Sequence, residues 1–301
     1  MSKIKSISAE LMERLDWLVY LGDLFSSYKK NKNDQFHSII KKAVNQNAWF
    51  TEKNIYTSIH YWQCKLKIEN LNTWISNYEI TRMQPVKVGI VMAGNFPFAG
   101  LHDLICVIIS GNIAIVKTSR SDKVLIDYLI DYIWSKFPIS KHYIIKSEIL
   151  KEFDKVIATG SNNTFRYFEY YFKKKPAILR KSRTSVAILE NNTDKDSLSL
   201  LAKDIFTYFG LGCRNVSKLF VPIGFDLKKL ICAFDEFEQI KFHHKYYNNL
   251  NYYKTIKILN NEKFIDGKFF LMSKSKKFTP PISEIYYEFY SNKKDLIKYL
   301  K

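Results

Sequence analysis

The sequence predicts an α/β fold: a doubly wound parallel sheet preceded by a helical segment and followed by a smaller α/β region. Short β-branched runs alternate with amphipathic stretches from residue 86 onward, which is the order that builds parallel sheets with helices on both faces. Several of the predicted strands end in turns that contain glycine or serine. The first 80 residues instead carry apolar residues at three- and four-residue spacings, which is typical of amphipathic helices.

The predicted sheet begins at residue 86 and its elements follow one another closely. They are a β-branched strand over 86–92, a helix over 101–109 that ends at Gly111, a strand over 113–117, a helix over 122–137, a short strand over 143–145, a strand over 155–159 and a helix from about residue 165. Asn162 or Asn163 is the predicted N-cap of that last helix. Farther along we expect a strand over 185–189, a helix over 196–209 and an apolar strand over 219–222.

Turns at the carboxyl ends of three strands predict a nucleotide site. In doubly wound sheets, ligands bind at the carboxyl ends of the strands, where the segments 93–97, 116–119 and 159–161 fall. None of these turns is a GxGxxG or Walker A loop. A purely structural turn is therefore the alternative at each of the three positions.

Length and composition predict a folded protein with one large or two ordinary domains. The chain has 301 residues, of which 47% are hydrophobic, and such a chain can bury a core. This excludes a disordered, fibrous or coiled-coil protein. The sequence has no run of about 20 apolar residues, and residues 1–17 have no apolar block before a small-residue cleavage site. We therefore expect a cytoplasmic protein without a membrane span.

The net charge of +18 would by itself suggest a nucleic-acid or membrane partner. Only seven of the 47 cationic residues are arginine, and the lysines are spread along a chain rich in Ile, Asn, Tyr and Phe, as AT-rich coding produces. The lysines are not accompanied by a helix-turn-helix, zinc-finger or single-strand-binding pattern. We therefore predict no nucleic-acid partner, and a positive field that attracts nucleotides or coenzyme A.

Cys213 is the candidate nucleophile. It follows a predicted helix and precedes an apolar strand. Gly210 and Gly212 allow a tight turn that brings the thiol close to a ligand, and neighbouring cations favour the thiolate. A buried structural thiol is the alternative.

The other three cysteines are predicted to pack among helix residues; they are Cys64, Cys106 and Cys232. Because the four cysteines are scattered and form no CxxC or Cys/His pattern, we predict neither a disulfide framework nor a metal site.

Three further groups have a structural and a functional interpretation. The aromatic run 167–172 is predicted to be a helix packed on the sheet, with the lining of a fatty acyl pocket as the alternative. Adjacent side chains point in different directions, so His243 and His244 are predicted to lie in a surface loop or an acyl-pocket wall instead of binding one ion. The cations of 180–183 are candidates for phosphate contacts or for a solvated loop.

Four motifs, taken in order, resemble the aldehyde dehydrogenase superfamily. They are AGNFPFAGLHDLICVIISGNIAIVKTSRSD, VIATGSNNTFRYFEYYF, RKSRTSVAILE and GLGCRNVSKLFVP. They are most similar to the acyl-CoA reductase branch related to bacterial LuxC, and the resemblance covers roughly residues 85–290. It implies a helical segment over 1–84, a Rossmann-like nucleotide-binding domain over 85–192 and a smaller catalytic domain over 193–301.

The resemblance implies two catalytic residues. Cys213 matches the nucleophile that attacks the acyl-CoA carbonyl and expels coenzyme A, leaving a thioester on the enzyme. Asn95 matches the side-chain amide that, with the backbone N–H of the nucleophile, holds the tetrahedral oxyanion. The implied activity is the NAD(P)H-dependent reduction of a long-chain acyl-CoA to the aldehyde.

The resemblance also implies a nicotinamide cofactor, NADPH, with NADH as the alternative. Lys117 matches the lysine that contacts the adenosine ribose or its 2′-phosphate, and Ser119 is assigned to the same site. Gly160 and Ser161 match the turn near the pyrophosphate. An acyl-CoA or acyl carrier protein thioester is the implied partner, and we expect a homo-oligomer.

Three departures from the family pattern bear on the activity. Segment 179–185 has no acid where hydrolytic members carry a water-activating Glu, which suits an enzyme that exchanges acyl groups with coenzyme A. Segment 276–281 has no carboxylate for the nicotinamide ribose. The chain ends at Lys301, soon after the predicted strand 286–290, where family members usually continue; this predicts an exposed sheet edge with lower stability or weaker oligomerisation.

Two alternatives to the reductase remain open. One is an acylating aldehyde dehydrogenase that works in the opposite direction on a short aldehyde. The other is a truncated, non-catalytic remnant that binds a nucleotide.

Overall fold

The computed structural model describes residues 9–28, 35–78, 80 and 84–300. The chain divides into two compact units between Ser182 and Arg183. Residues 1–8, which carry much of the prediction about a cleavable leader, lie outside the described residues. None of the described helices combines the length and the apolar character needed to cross a membrane.

The first unit begins with helices that bury their apolar faces against the sheet that follows. Their bounds are α1 Ala9–Ser27, α2 Gln35–Gln46, α3 Glu52–Lys65 and α4 Ile68–Ile75. Leu15, Ile40 and Ile59 are fully buried in one core with sheet residues such as Ile90. The helical spacing of the first 80 residues is thus confirmed wherever the structure describes them.

A five-stranded sheet forms the centre of the first unit. Its strands are β1 Lys87–Val91, β2 Ile113–Lys117, β3 Ile144–Lys146, β4 Lys155–Thr159 and β5 Ala177–Arg180. All neighbours pair in parallel, in the order β3-β2-β1-β4-β5. The connecting helices are α5 Leu101–Ile109, α6 Lys123–Lys136 and α7 Asn162–Phe172, with a short 3-10 helix over Pro138–His142. The predicted doubly wound arrangement is confirmed.

Helix α7 differs from the prediction in its cap and its exposed face. The hydroxyl of Ser161 accepts the N–H of Thr164 at 3.3 Å, so the cap is Ser161 and not Asn162 or Asn163. The aromatic side chains of the run 167–172 lie on two different faces of this helix. Phe168 and Phe172 pack toward the sheet, whereas the three tyrosines are each more than 60% exposed; they are Tyr167, Tyr170 and Tyr171.

The second unit is built on another five-stranded sheet. Its strands are β6 Ser185–Ile188, β7 Val216–Pro222, β8 Ile265–Asp266, β9 Leu271–Lys274 and β10 Glu284–Tyr290. Their order is β6-β7-β10-β9-β8, and only β8 runs antiparallel to its neighbour. The helices are α8 Lys195–Phe206, α9 Lys228–Phe234, α10 His244–Leu259 and α11 Lys293–Leu300, with 3-10 helices over Thr207–Gly210 and Asp235–Phe242.

Phenylalanine rings fill the core of the second unit. Phe206, at the end of α8, contacts three other rings at centroid distances of 5.1–5.4 Å; they belong to Phe234, Phe269 and Phe270. This contact fixes the end of α8, three residues earlier than the sequence predicted.

One of the two alternatives predicted for His243 and His244, a surface loop, is wrong. His243 caps α10 through its ring nitrogen and His244 is the first residue of that helix, so the pair starts a helix and does not lie in a loop. Strand β10 lies between β7 and β9. An exposed sheet edge is therefore not found at β10.

Asp122, at the start of α6, is a buried carboxylate with an unusual environment. It is 2% exposed, and neither oxygen forms a hydrogen bond of regular geometry with a described residue. Burial raises the pKa of Asp122 well above its ordinary value near 3.8, and the backbone N–H groups of Phe98 and Ala99 offset only part of that effect. An ionised Asp122 therefore opposes folding.

Replacing Asp122 with Asn should flatten the pH dependence of stability. As the pH rises from about 4 toward neutrality, the unfolded chain releases the Asp122 proton first, since burial raises the pKa of Asp122 in the folded chain. The unfolded state then binds fewer protons, so the folded state loses stability as the pH rises. The free energy of unfolding of D122N relative to wild type should increase by about 1–3 kcal/mol over this range. Urea unfolding at each pH measures it, with D16N on the exposed face of α1 as the control. Parallel profiles for D122N and wild type would contradict the assignment.

Candidate active site

In the first unit, the predicted site residues lie in three loops at one edge of the sheet. Strands β1, β2 and β4 are adjacent and parallel, so their carboxyl ends meet. The N–H of Met92 donates to the carbonyl of Lys117 at 3.0 Å, which ties the ends of β1 and β2 together. The loops after these strands carry the site residues predicted for this unit, namely Asn95, Lys117, Ser119, Gly160 and Ser161.

The turn that carries Asn95 is held from two sides. On one side, Phe98 has a positive φ of 60° and its ring is buried against Phe25 at 5.7 Å, while the buried Ser58 hydroxyl donates to the carbonyl of Pro97 at 3.0 Å. On the other, a Cβ added at Gly94 would lie 2.4 Å from the hydroxyl oxygen of Ser119. Only glycine allows this approach, and Asn95 is left exposed on a fixed turn.

The loop after β2 is rich in cations. Lys117, the last residue of β2, and Arg120 are exposed and form no ion pair with a described residue. Lys123 forms two ion pairs, since its Nζ lies 2.8 Å from Glu148 and 3.0 Å from Asp127. These three cations lower the pKa of Glu148, Lys123 most strongly. A cavity of about 220 Å³ lies beside them, lined by residues of β2, α6 and the end of β3.

Arg180 links the turn after β4 to helix α5. Its backbone carbonyl accepts the N–H of Gly160 at 3.0 Å, and its guanidinium donates to Asp103 at 2.6 Å. Asp103 is 5% exposed; burial acts to raise its pKa, but His102 and Arg180 together lower it below its ordinary range. Arg180 was a candidate for a phosphate contact, and the structure shows it paired with Asp103 instead. Sequence spacing gave no signal for this pair.

In the second unit, Cys213 lies exposed on a four-residue turn that leads into β7. The N–H of Asn215 donates to the carbonyl of Gly212 at 3.0 Å and closes the turn. Cys213 and Arg214 occupy its two central positions. Among the described residues, none accepts a hydrogen bond from the backbone N–H of Cys213. The alternative of a buried structural thiol is therefore wrong.

Three consecutive residues with left-handed backbone precede this turn. Tyr208, Phe209 and Gly210 have φ of 55°, 59° and 73°, and each non-glycine residue in this region costs roughly 1–2 kcal/mol. Packing holds them in place, because the Phe209 ring is buried and lies 4.3 Å from the ring of His243 and 5.9 Å from that of Tyr246. These ring contacts therefore hold the strained backbone that leads into the Cys213 turn.

Segment 276–281 is attached to the strand that follows the Cys213 turn. Lys218, on β7, is completely buried, and its ammonium donates to Glu288 at 2.6 Å and to the carbonyl of Lys276 at 3.2 Å. The hydroxyl of Ser217 donates to the carbonyl of Phe278 at 2.9 Å. The segment carries no carboxylate, and Glu288, which contacts the same ammonium as the Lys276 carbonyl, is paired with Lys218.

The remaining cysteines differ from the prediction. Cys64 and Cys232 are exposed and Cys106 is half-buried, so the expectation that all three pack in the core is wrong for the first two. The sulfur of Cys106 lies 3.7 Å from Nδ1 of His102. Contacts with Asp103 and Cys106 raise the pKa of His102 to about 9. Within the described ranges, no group of three or more His, Cys, Asp or Glu is arranged to hold a metal ion.

Solved aldehyde dehydrogenases share this fold. The Mycobacterium tuberculosis enzyme complexed with NAD+ matches with a TM-score of 0.64 and 14% identity, covering 99% of this chain and 72% of that one. The NAD+ complex of the Bacillus cereus enzyme matches with a TM-score of 0.65 and 13% identity, covering 96% and 69%. A glyceraldehyde-3-phosphate dehydrogenase from Methanocaldococcus jannaschii complexed with NADP matches with a TM-score of 0.66 and 15% identity, covering 96% and 73%. The predicted aldehyde-dehydrogenase-like fold is confirmed.

Sequence comparison identifies the family. A search of curated proteins gives no significant match. The family model described as acyl-CoA reductase (LuxC) matches residues 69–229, a range that includes both Asn95 and Cys213. Because this match spans more than half of the 301 residues, the chain belongs to the acyl-CoA reductase (LuxC) family, within the aldehyde dehydrogenase fold.

Proposed function

We propose that the chain is an NAD(P)H-dependent acyl-CoA reductase that converts a long-chain acyl thioester to the aldehyde through a thioester on Cys213. The observation that carries this proposal is the Cys213 turn. It presents an exposed thiol beside a backbone N–H that no described residue occupies. Family membership supplies the substrate class, an acyl thioester.

The chemistry assigned to Cys213 is acyl transfer followed by reduction. Its thiolate attacks the thioester carbonyl, the carbonyl oxygen takes up negative charge, and collapse of the adduct breaks the bond to the coenzyme A sulfur. The backbone N–H of Cys213 and the amide of Asn95 are the proposed donors to that oxygen. Coenzyme A leaves as its thiolate, and the acyl group stays on Cys213 until its carbonyl is reduced and the aldehyde departs.

The residues at the carboxyl edge of the first sheet fit a nicotinamide nucleotide. Lys117 and Arg120 offer exposed cations to a ribose or phosphate. Helix α7 begins directly after Gly160 and Ser161, and the N-terminus of a helix favours an anion such as a phosphate. Ser119 packs against the turn at Gly94 and is assigned to the same site. When bound, the reduced cofactor supplies the hydride. We assign NADPH. The boundary expected between residues 192 and 193 lies too late, because β6 Ser185–Ile188 pairs with β7 in the second sheet. We therefore propose that the nucleotide domain ends at Ser182 and the catalytic domain begins at Arg183.

The acids of the first unit support reduction over hydrolysis. Segment 179–185 contains no carboxylate. Asp103, which contacts this segment, is buried and paired with Arg180 at 2.6 Å, so it is not available as a base for water. A thioester on Cys213 that meets no activated water persists until it is reduced or returned to coenzyme A.

Replacing Cys213 with Ala should abolish aldehyde formation, because the proposed nucleophile is removed. The control is Cys232→Ala. Cys232 is also an exposed cysteine, lies on α9 and has no assigned role, so this variant should form aldehyde within about twofold of wild type. The assay follows aldehyde released from a series of acyl-CoA thioesters in the presence of NADPH or NADH. It also ranks chain length and cofactor. Equal loss of activity in both variants would mean that Cys213 is not the nucleophile.

Replacing Asn95 with Ala should lower kcat by about 10²–10³, because one oxyanion donor is removed. The affinity for NADPH, measured by fluorescence titration, should stay within about threefold. N77A removes an exposed amide from the end of the helical segment and serves as the control. A kcat for N95A equal to that of wild type would remove Asn95 from the oxyanion site.

A further inference from the structure

We propose that Asn215 is a positioning residue that fixes the Cys213 turn so that the backbone N–H of Cys213 faces the developing oxyanion. The inference rests on the proposed role of Cys213 as the nucleophile. It adds a residue two positions away that does not itself touch the substrate.

The side chain of Asn215 makes three hydrogen bonds within the second unit. Its Oδ1 accepts the N–H of Gly212 at 2.8 Å. Its Nδ2 donates to the carbonyl of Asp204 at 2.7 Å and to that of Thr207 at 3.1 Å. One amide therefore joins the start of the turn to the end of helix α8.

Gly212 and Asn215 are bonded to each other twice. The backbone N–H of Asn215 donates to the Gly212 carbonyl at 3.0 Å, and the Gly212 N–H donates to the Asn215 side chain at 2.8 Å. The two ends of the turn are thus closed from both sides. Only the N–H groups of Cys213 and Arg214 within this turn remain without a hydrogen bond to a described residue.

Which N–H groups the turn leaves open determines which of them can stabilise an oxyanion. A backbone N–H stabilises an oxyanion only if it is held in the direction where the charge develops, and a misplacement of about 1 Å can cost on the order of 10²-fold in rate. Because Asn215 occupies the Gly212 N–H, the turn cannot rotate to offer that group in place of the N–H of Cys213.

The bonds to the carbonyls of Asp204 and Thr207 attach the turn to the end of helix α8. Both carbonyls belong to the last turn of α8 and the residue after it, where helix carbonyls lack intrahelical donors. The segment between Thr207 and Gly212 passes through left-handed backbone at Tyr208 and Phe209. Asn215 bridges across this segment, so the Cys213 turn is fixed to α8 directly and not only through the chain.

The test compares two reactions of the same thiol. Acylation by a long-chain acyl-CoA without nucleotide, followed by intact mass, needs the oxyanion donor. Alkylation by iodoacetamide displaces iodide and forms no oxyanion. N215A should slow acylation about 10- to 100-fold and change alkylation less than about threefold. N215D keeps an acceptor for Gly212 but offers no donor to Asp204 or Thr207, and it should show the same selective loss to a smaller extent.

The control is N249A, which removes an exposed amide that donates to a backbone carbonyl in α10; both of its rates should equal those of wild type. Equal slowing of acylation and alkylation in N215A and N215D, corrected for the folded fraction, would show a merely structural role and overturn the proposal. If N215A does not fold, N215D decides the question in the same way. If wild type itself takes up no acyl group, the proposed function fails instead.

Discussion

The parallel pairing of β1 with β2 on one side and β4 on the other is the constraint on which the first unit depends. From β1, the strands are added toward one edge as β2 and β3 and then toward the other edge as β4 and β5. Such a switch in strand order leaves a crevice at the carboxyl ends of the strands. Asn95 and Gly160 follow β1 and β4, and Lys117 is the last residue of β2, so backbone pairing alone brings all three to one edge. Further contacts then hold the loops. The Phe98 ring packs against Phe25, and Arg180 accepts the N–H of Gly160 with its backbone carbonyl while its guanidinium binds Asp103.

In the second unit, the surrounding residues hold the turn of Cys213, the proposed nucleophile, in place while the residue stays exposed. Phenylalanine packing fixes the end of α8, and ring contacts at Phe209 hold the left-handed backbone that follows. The amide of Asn215 ties the turn to the carbonyls of Asp204 and Thr207 at the end of α8. After the turn, Lys218 and Ser217 connect β7 to segment 276–281. Cys213 itself is exposed, so its position is set by the residues that hold the turn.

Sequence pattern predicted the order of strands and helices because β-branched runs and helical spacings are local signals. The turns that carry the candidate residues were also predictable, because glycines mark them. Gly94 allows the close approach of Ser119, and Gly210 has a left-handed backbone. What could not be predicted depends on long-range contacts. The pairing of Asp103 with Arg180, 77 residues apart, the burial of Asp122 and the exposure of Cys64 and Cys232 follow from packing that no local pattern records.

The measurement that tests the account most directly locates the acyl group. The protein is incubated with a panel of acyl-CoA thioesters without nucleotide and digested with trypsin, which cuts after Lys203 and Arg214. The account predicts an acyl mass on peptide 204–214, whose single cysteine is Cys213, with chain lengths ranked by the extent of labelling. An acyl mass on a peptide that carries Cys64, Cys106 or Cys232, or on none from folded protein, would contradict a Cys213 acyl-enzyme.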